Sequence, residues 1–259
     1  MRASNGDVHL EWEETGTGSP VLLIHGLGYG RWGWGPLVER LATRFRVVTF
    51  DNRGIGGSSK PEGPYTASEM ASDALAVLDA AGLERAHVVG TSLGGMIAQE
   101  LTLAHPERVN RLVLLSTTPG APDGYPMPSE TVRLLDEAQD MDPTEALRRF
   151  VVNALGERPD PDLTETILEL RRANPPDPVG WAGQAAAGTT YAGEGRARRI
   201  GVPTLVVTGT DDRVVDPRNS DLLGEMIPRA EVHRVEGGGH LVFWDHPDQT
   251  CDLLVDFLS

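Results

Sequence analysis

Ser92, Asp212 and His240 occur in an order that could activate a hydroxyl group for attack on a carbonyl. Ser92 sits in Gly90-Thr91-Ser92-Leu93-Gly94, which matches G-x-S-x-G. A serine hydroxyl is a poor nucleophile until a histidine takes its proton. That histidine needs a carboxylate on its other ring nitrogen. The pentad alone is a weak signal, but its setting strengthens it. Ala86-His87-Val88-Val89 before it reads as a buried strand, and Met96 to Ala104 after it reads as a helix. A sharp strand-to-helix turn exposes the hydroxyl, and small residues two places either side let the backbones pass closely. The helix after Ser92 turns its positive end toward a developing oxyanion.

The base and the acid are sought downstream of Ser92. Of the seven histidines, only His233, His240 and His246 follow a plausible acid-bearing strand. His233 lies within a strand, and His246 stands at a helix start before Pro247. His240 follows Gly237-Gly238-Gly239, a loop from which an imidazole could reach Ser92. Two adjacent carboxylates follow the strand Thr204 to Val207, in Thr208-Gly209-Thr210-Asp211-Asp212-Arg213. Asp212 is chosen as the acid, with Asp211 as a turn residue bonded to its own backbone. Asp216, before Pro217, reads as a helix cap. The strand Leu112 to Leu115 ends in Ser116-Thr117-Thr118, without a carboxylate.

A tetrahedral intermediate needs backbone N–H donors. One comes from the loop after the first buried strand, His25-Gly26-Leu27-Gly28, and the other from the residue after the nucleophile. Leu27 and Leu93 are therefore the expected oxyanion donors, and His25 is expected to brace the loop. Tyr29, Trp32, Met96, Trp181 and Phe243 are the candidate pocket walls, each also suited to plain packing. Arg53 suits a structural ion pair. Cys251, the single cysteine, has no catalytic signature around it and rules out an internal disulfide.

The elements that must position these groups alternate along the chain. Val8 to Glu13 alternates apolar and polar residues and reads as a half-exposed edge strand. Val21 to Ile24, Arg46 to Phe50, Ala86 to Val89, Leu112 to Leu115, Thr204 to Val207 and Glu231 to Val235 read as further strands. Helices are expected at Pro36 to Ala42, Thr66 to Ala81 and Pro247 to Leu258, the second capped by Ser68 or Thr66 and closed by Gly82. This rhythm implies an α/β fold, a mostly parallel sheet covered by helices on both faces. From Pro119 to Arg199 no buried strand is legible, only helical segments such as Ser129 to Gln139 and Thr144 to Leu155. The expected organisation is a core of 1–118 and 200–259 with a helical cap of 119–199.

Composition narrows the partners. With 39% hydrophobic and 24% charged residues, the 259-residue chain has the make-up of a soluble globular protein. A net charge of −15 repels phosphate backbones and anionic membranes, so neither nucleic acid nor membrane is expected as a partner. Met1 to Leu10 has no apolar core of a signal peptide, and a cytoplasmic protein is expected.

The motifs together resemble the α/β-hydrolase superfamily over nearly the whole chain. They are His25-Gly26-Leu27-Gly28, Asp51-Asn52-Arg53-Gly54-Ile55-Gly56-Gly57-Ser58, the Ser92 turn, Gly209-Thr210-Asp211-Asp212 and Gly238-Gly239-His240. The pattern is similar to small capped esterases, enol-lactonases and C–C bond hydrolases. In such relatives the acid usually stands third after the motif glycine, which supports Asp212, and the first loop supports Leu27. Haloalkane dehalogenases and epoxide hydrolases carry aspartate at the Ser92 position and are set aside. The resemblance implies a serine hydrolase cleaving a small-molecule carboxylic ester or lactone through an acyl-enzyme, with no metal or organic cofactor. One alternative is C–C cleavage of a ring-cleavage product, with a cap arginine, Arg148 or Arg171, binding its acid. The first loop, Tyr29-Gly30-Arg31-Trp32, departs from the proline-containing form usual in C–C hydrolases. A second alternative is a non-catalytic hydrolase-like receptor or scaffold, against which the intact Ser, Asp and His argue.

Overall fold

The computed structural model describes all 259 residues, Met1–Ser259. The elements in chain order are β1 (Arg2–Asn5), β2 (Val8–Thr15), β3 (Ser19–Ile24), α1 (Pro36–Leu41), β4 (Phe45–Phe50), α2 (Ala67–Ala80), β5 (Ala86–Thr91), α3 (Leu93–Ala104) and β6 (Val109–Leu115). Four helices follow, α4 (Ser129–Glu137), α5 (Pro143–Ala154), α6 (Pro161–Ala173) and α7 (Pro178–Thr189). The chain closes with β7 (Thr204–Gly209), α8 (Arg218–Met226), β8 (Ala230–Val235), α9 (Val242–Asp245) and α10 (Pro247–Leu258). The strands form one sheet of eight in the order β1-β2-β4-β3-β5-β6-β7-β8. β1 and β2 run antiparallel, and β3 to β8 are parallel.

The short apolar runs form strands because both of their faces are covered. Leu22 and Ile24 of β3 join the core under α2 and α3, while Val21 and Leu23 join the core under α1 and α10. A two-residue period with both faces apolar is what a doubly covered parallel strand requires. α2 starts at a capping box: the Thr66 hydroxyl accepts the Glu69 N–H, and the Glu69 carboxylate accepts the Thr66 N–H. Such a cap contributes about 1 kcal/mol. Thr66, not Ser68, is therefore the cap; Ser68 bonds Glu100 instead.

Two expectations are corrected. β2 is not the edge strand, because β1 pairs outside it. Arg2–Asn5 carries no apolar alternation, and only Ala3 turns inward, so pairing rather than pattern makes it a strand. The helix after Ser92 also starts earlier than Met96, at Leu93, immediately after the turn.

The Gly-rich loop after β4 is fixed by charge. The Asp51 carboxylate accepts the Arg31 and Gly57 N–H groups, at 2.8 and 2.9 Å. Arg53 meets Asp73 of α2 through two bonds of 2.5 and 2.9 Å. Asp73 is fully buried and also accepts from the Asn5 amide. Removing one member of a buried pair strands the other's charge. Asp73→Ala should lower the unfolding free energy by about 3–5 kcal/mol in urea titrations. A loss below about 1 kcal/mol would mean that this pair does not brace the loop.

Candidate active site

β5 ends at Thr91, and Ser92 follows with φ 54° and ψ −122°, outside the regions usual for a residue with a side chain. The surroundings over-determine that strain. The Ser92 N–H donates to Leu115 O at 2.9 Å, and Ser92 O accepts from the Gly95 N–H and the Thr117 hydroxyl. The turn fits only because α3 begins against the end of β3. A Cβ at Gly94 would stand 1.9 Å from Ile24 O. On the other side, a Cβ at Gly26 would lie 2.9 Å from Ser92 Cβ and 3.5 Å from its Oγ. The loop after β3 thus lies directly beside the serine hydroxyl.

The loops after β7 and β8 bring Asp212 and His240 together. His240 Nδ1 lies 2.8 Å from Asp212 Oδ2. The other Asp212 oxygen accepts the Val214 and Val215 N–H groups at 2.8 and 2.9 Å. A carboxylate accepts, so this contact suits the His240 tautomer with its proton on Nδ1. Asp212 has no exposed side-chain surface, and His240 is buried. Asp211, the competing carboxylate, points elsewhere and accepts the Glu157 N–H. His233 lies exposed on the edge strand β8, and His246 precedes α10.

His25 lies under the first loop. Its Nδ1 accepts the Gly26 N–H at 2.7 Å. The ring stacks on Tyr29 at 4.9 Å and meets Trp34 and Phe243 edge-on. Burial holds its pKa down to about 3, and nearby His240 and Arg171 push the same way.

The candidate pocket residues separate. Tyr29 and Trp32 pack together, 5.0 Å between centroids, and Trp181 is exposed with its indole against Gly28. Met96 is buried in α3. Phe243 is corrected: it has no exposed surface and belongs to the core beneath His25, because α9 packs inward. Leu27 is half-buried, and Leu93 is buried at the first position of α3. Arg148 pairs with Glu165 between helices α5 and α6. Arg171 is half-buried. Its guanidinium donates to Gly28 O at 2.6 Å and lies 4.7 Å over the Tyr29 ring.

Three further residues act here without a motif to mark them. Gln184 of α7 accepts the Gly28 N–H and donates to Arg53 O. It is the one polar side chain in Trp181–Gly188, which was its only signal. Arg213 donates to the carbonyls of Val152, Leu155 and Gly156 at the end of α5. Asp245 accepts the N–H groups of Gly156 and Gly239, next to His240. No group of three or more His, Cys, Asp or Glu side chains could hold a metal ion. No helix is long and apolar enough to cross a membrane.

Residues 19–247 match the family described as the alpha/beta hydrolase fold. The chain is 36% identical to a protein of Azorhizobium caulinodans whose name assigns it, provisionally, as carbamate hydrolase RutD; the match covers 98% of this chain and 97% of that one. It is 31% identical to a 2-hydroxy-6-oxononadienedioate/2-hydroxy-6-oxononatrienedioate hydrolase of Paraburkholderia xenovorans, over 100% of this chain and 93% of the relative. The enol-lactonase of Burkholderia xenovorans superposes with a TM-score of 0.86 at 26% identity, over 100% of this chain and 99% of that one. The chain belongs to the α/β-hydrolase family. It is a hydrolase of that family.

The buried neutral His25 links folding to pH. Its stabilising contribution is complete above the ordinary histidine pKa of about 6.5, and is lost as pH falls toward about 3, because the unfolded chain takes up the proton first. His25→Asn should flatten the acid-side loss of stability between pH 6.5 and 4, by up to about 1.4 kcal/mol per pH unit. Equal slopes for both proteins in urea titrations would contradict a buried neutral His25.

Proposed function

We propose that the protein is a serine hydrolase of small carboxylic esters and lactones. The observation that supports this most is the saturated Asp212–His240 pair at the same sheet edge as the strained Ser92. In this reading Ser92 Oγ attacks the substrate carbonyl while His240 Nε2 takes its proton. Asp212 holds the imidazole in the required tautomer and stabilises the imidazolium. The N–H groups of Leu27 and Leu93 receive the oxyanion. His240 then protonates the leaving alcohol. Water, deprotonated by the same imidazole, releases the acyl group from Ser92. Residues 119–199 serve as a cap over a core of 1–118 and 200–259. Tyr29, Trp32, Trp181 and Met96 face the substrate between them.

A second reading is favoured by the placement of Arg171. A guanidinium beside the first loop could take the carboxylate of a dienoic keto acid, and the same nucleophile or its base would then serve C–C cleavage. The relative named for dienedioate hydrolysis fits this reading. A substrate panel decides between the two: nitrophenyl esters of increasing chain length, lactones, a carbamate and a dienedioate. Turnover of esters or lactones, with the dienedioate inert, is expected. Turnover of the dienedioate alone would replace the first reading by the second.

Ser92→Ala should abolish turnover, and Asp212→Asn should lower kcat by about 10⁴-fold with the fold intact. Full ester turnover by Ser92→Ala would refute the mechanism.

A further inference from the structure

The loop beside Ser92 is held from two different layers. On its near side the core does the holding. His25 O accepts the Asn52 amide at 2.9 Å, and the Gly26 N–H donates to His25 Nδ1. On its far side both polar backbone groups of Gly28 are taken by the inserted helices. The N–H donates to Gln184 Oε1 of α7 at 2.9 Å, and the carbonyl accepts Arg171 Nη1 of α6 at 2.6 Å. Leu27 lies between these two anchors.

The loop has little else to fix it. The backbone bond within it, from the Tyr29 N–H to Gly26 O, is long at 3.4 Å. Gly28 has φ +71°, a conformation that a glycine leaves easily once its partners go. Gln184, by contrast, is rigidly set. It is 1% exposed, and its amide nitrogen donates to Arg53 O at 2.7 Å. Arg53 is itself locked to buried Asp73. A continuous line of bonds therefore runs from α2 through Arg53 and Gln184 to Gly28. Arg171 is steadied over the Tyr29 ring, which stacks on His25.

We infer that Gln184 and Arg171 are positioning residues that aim the Leu27 N–H at the oxyanion, so that the hole is complete only while the inserted helices are docked. This rests on the reading of Ser92 as nucleophile and Leu27 as an oxyanion donor. It assigns the helices of residues 119–199 a part in transition-state stabilisation as well as in covering the substrate. A donor misplaced by a fraction of an ångström loses much of its value, because the interaction matters most when charge develops. Neither side chain needs to touch the substrate for this effect.

The test uses Gln184→Met, which keeps the volume and removes both bonds. Arg171→Met and Arg171→Lys form a second pair at a partly exposed site, where folding is not at stake. Arg172→Met, on the exposed neighbour, is the control. Each variant is assayed with a short neutral nitrophenyl ester, with a trifluoromethyl ketone as a transition-state analogue, and by amide hydrogen exchange of the segment 25–30. Gln184→Met and Arg171→Met should each lower kcat about 10- to 100-fold, less than the roughly 10²–10³-fold of deleting a donor outright. KM should stay within about threefold, and the ketone's inhibition constant should rise in step with the loss in kcat/KM. Arg171→Lys should recover part of kcat, since an ammonium can still reach Gly28 O. Exchange across 25–30 should quicken in both Met variants. Unchanged exchange there would overturn the inference, as would a raised KM with kcat intact, which would make Arg171 a substrate ligand. Wild-type protein that turns over no ester would count against the proposed function alone, and the exchange measurement would still decide whether the helices hold the loop.

Discussion

The site depends on one steric constraint, the contact between the start of α3 and the end of β3. Gly94 presses against Ile24 O so closely that no side chain fits. This lets β5 turn into a helix within one residue, and Ser92 is that residue. Its N–H donates to Leu115 O, and its carbonyl accepts from Gly95, Met96 and the Thr117 hydroxyl, which holds it there. The same contact carries the loop after β3 alongside the hydroxyl. The parallel sheet does the rest. Its strands deliver their C-terminal loops to one edge, which is where ligands bind in folds of this kind. Asp212 after β7 and His240 after β8 arrive at that edge from strands that are neighbours in the sheet.

Burial then shapes the Asp212–His240 pair. Asp212 lies in a dry position with each oxygen in use, one by two backbone N–H groups and one by His240. A buried carboxylate is tolerable only when paired and hydrogen-bonded in this way. The inserted helices take part in holding each of the surrounding loops. Arg213, next to Asp212, gathers carbonyls at and just after the end of α5, a favourable place for a cation. Asp245 ties the turn before His240 to Gly156. Gln184 and Arg171 grip Gly28. The helices are therefore joined to the core at the sheet edge that carries Ser92, Asp212 and His240, at points that touch all three loops.

Much of this was legible in the sequence, for physical reasons. Buried parallel strands are short apolar runs, and Val21–Ile24 and Leu112–Leu115 could be read as such. A turn too tight for side chains must carry glycine, so the Ser92 pentad showed itself. The resemblance to α/β-hydrolases favours Asp212 over Asp211, and the structure shows Asp212 accepting the Val214 and Val215 N–H groups. What stayed hidden depends on partners distant in the chain. β1 has a polar sequence and exists because β2 is beside it. Phe243 reads as an aromatic near the base, yet α9 turns it into the core. Gln184 reaches Gly28 across 156 positions and Arg171 across 143, and neither sits in a pattern that spacing could reveal.

In the proposed hydrolysis Ser92 carries the acyl group between the two half-reactions. Mixing the protein with excess nitrophenyl ester, quenching in acid within milliseconds and mapping the mass gain tests this step. One acyl group per chain is expected, on the peptide containing Ser92, and none in Ser92→Ala. An acyl group on another residue, or turnover without any acylated peptide, would contradict it.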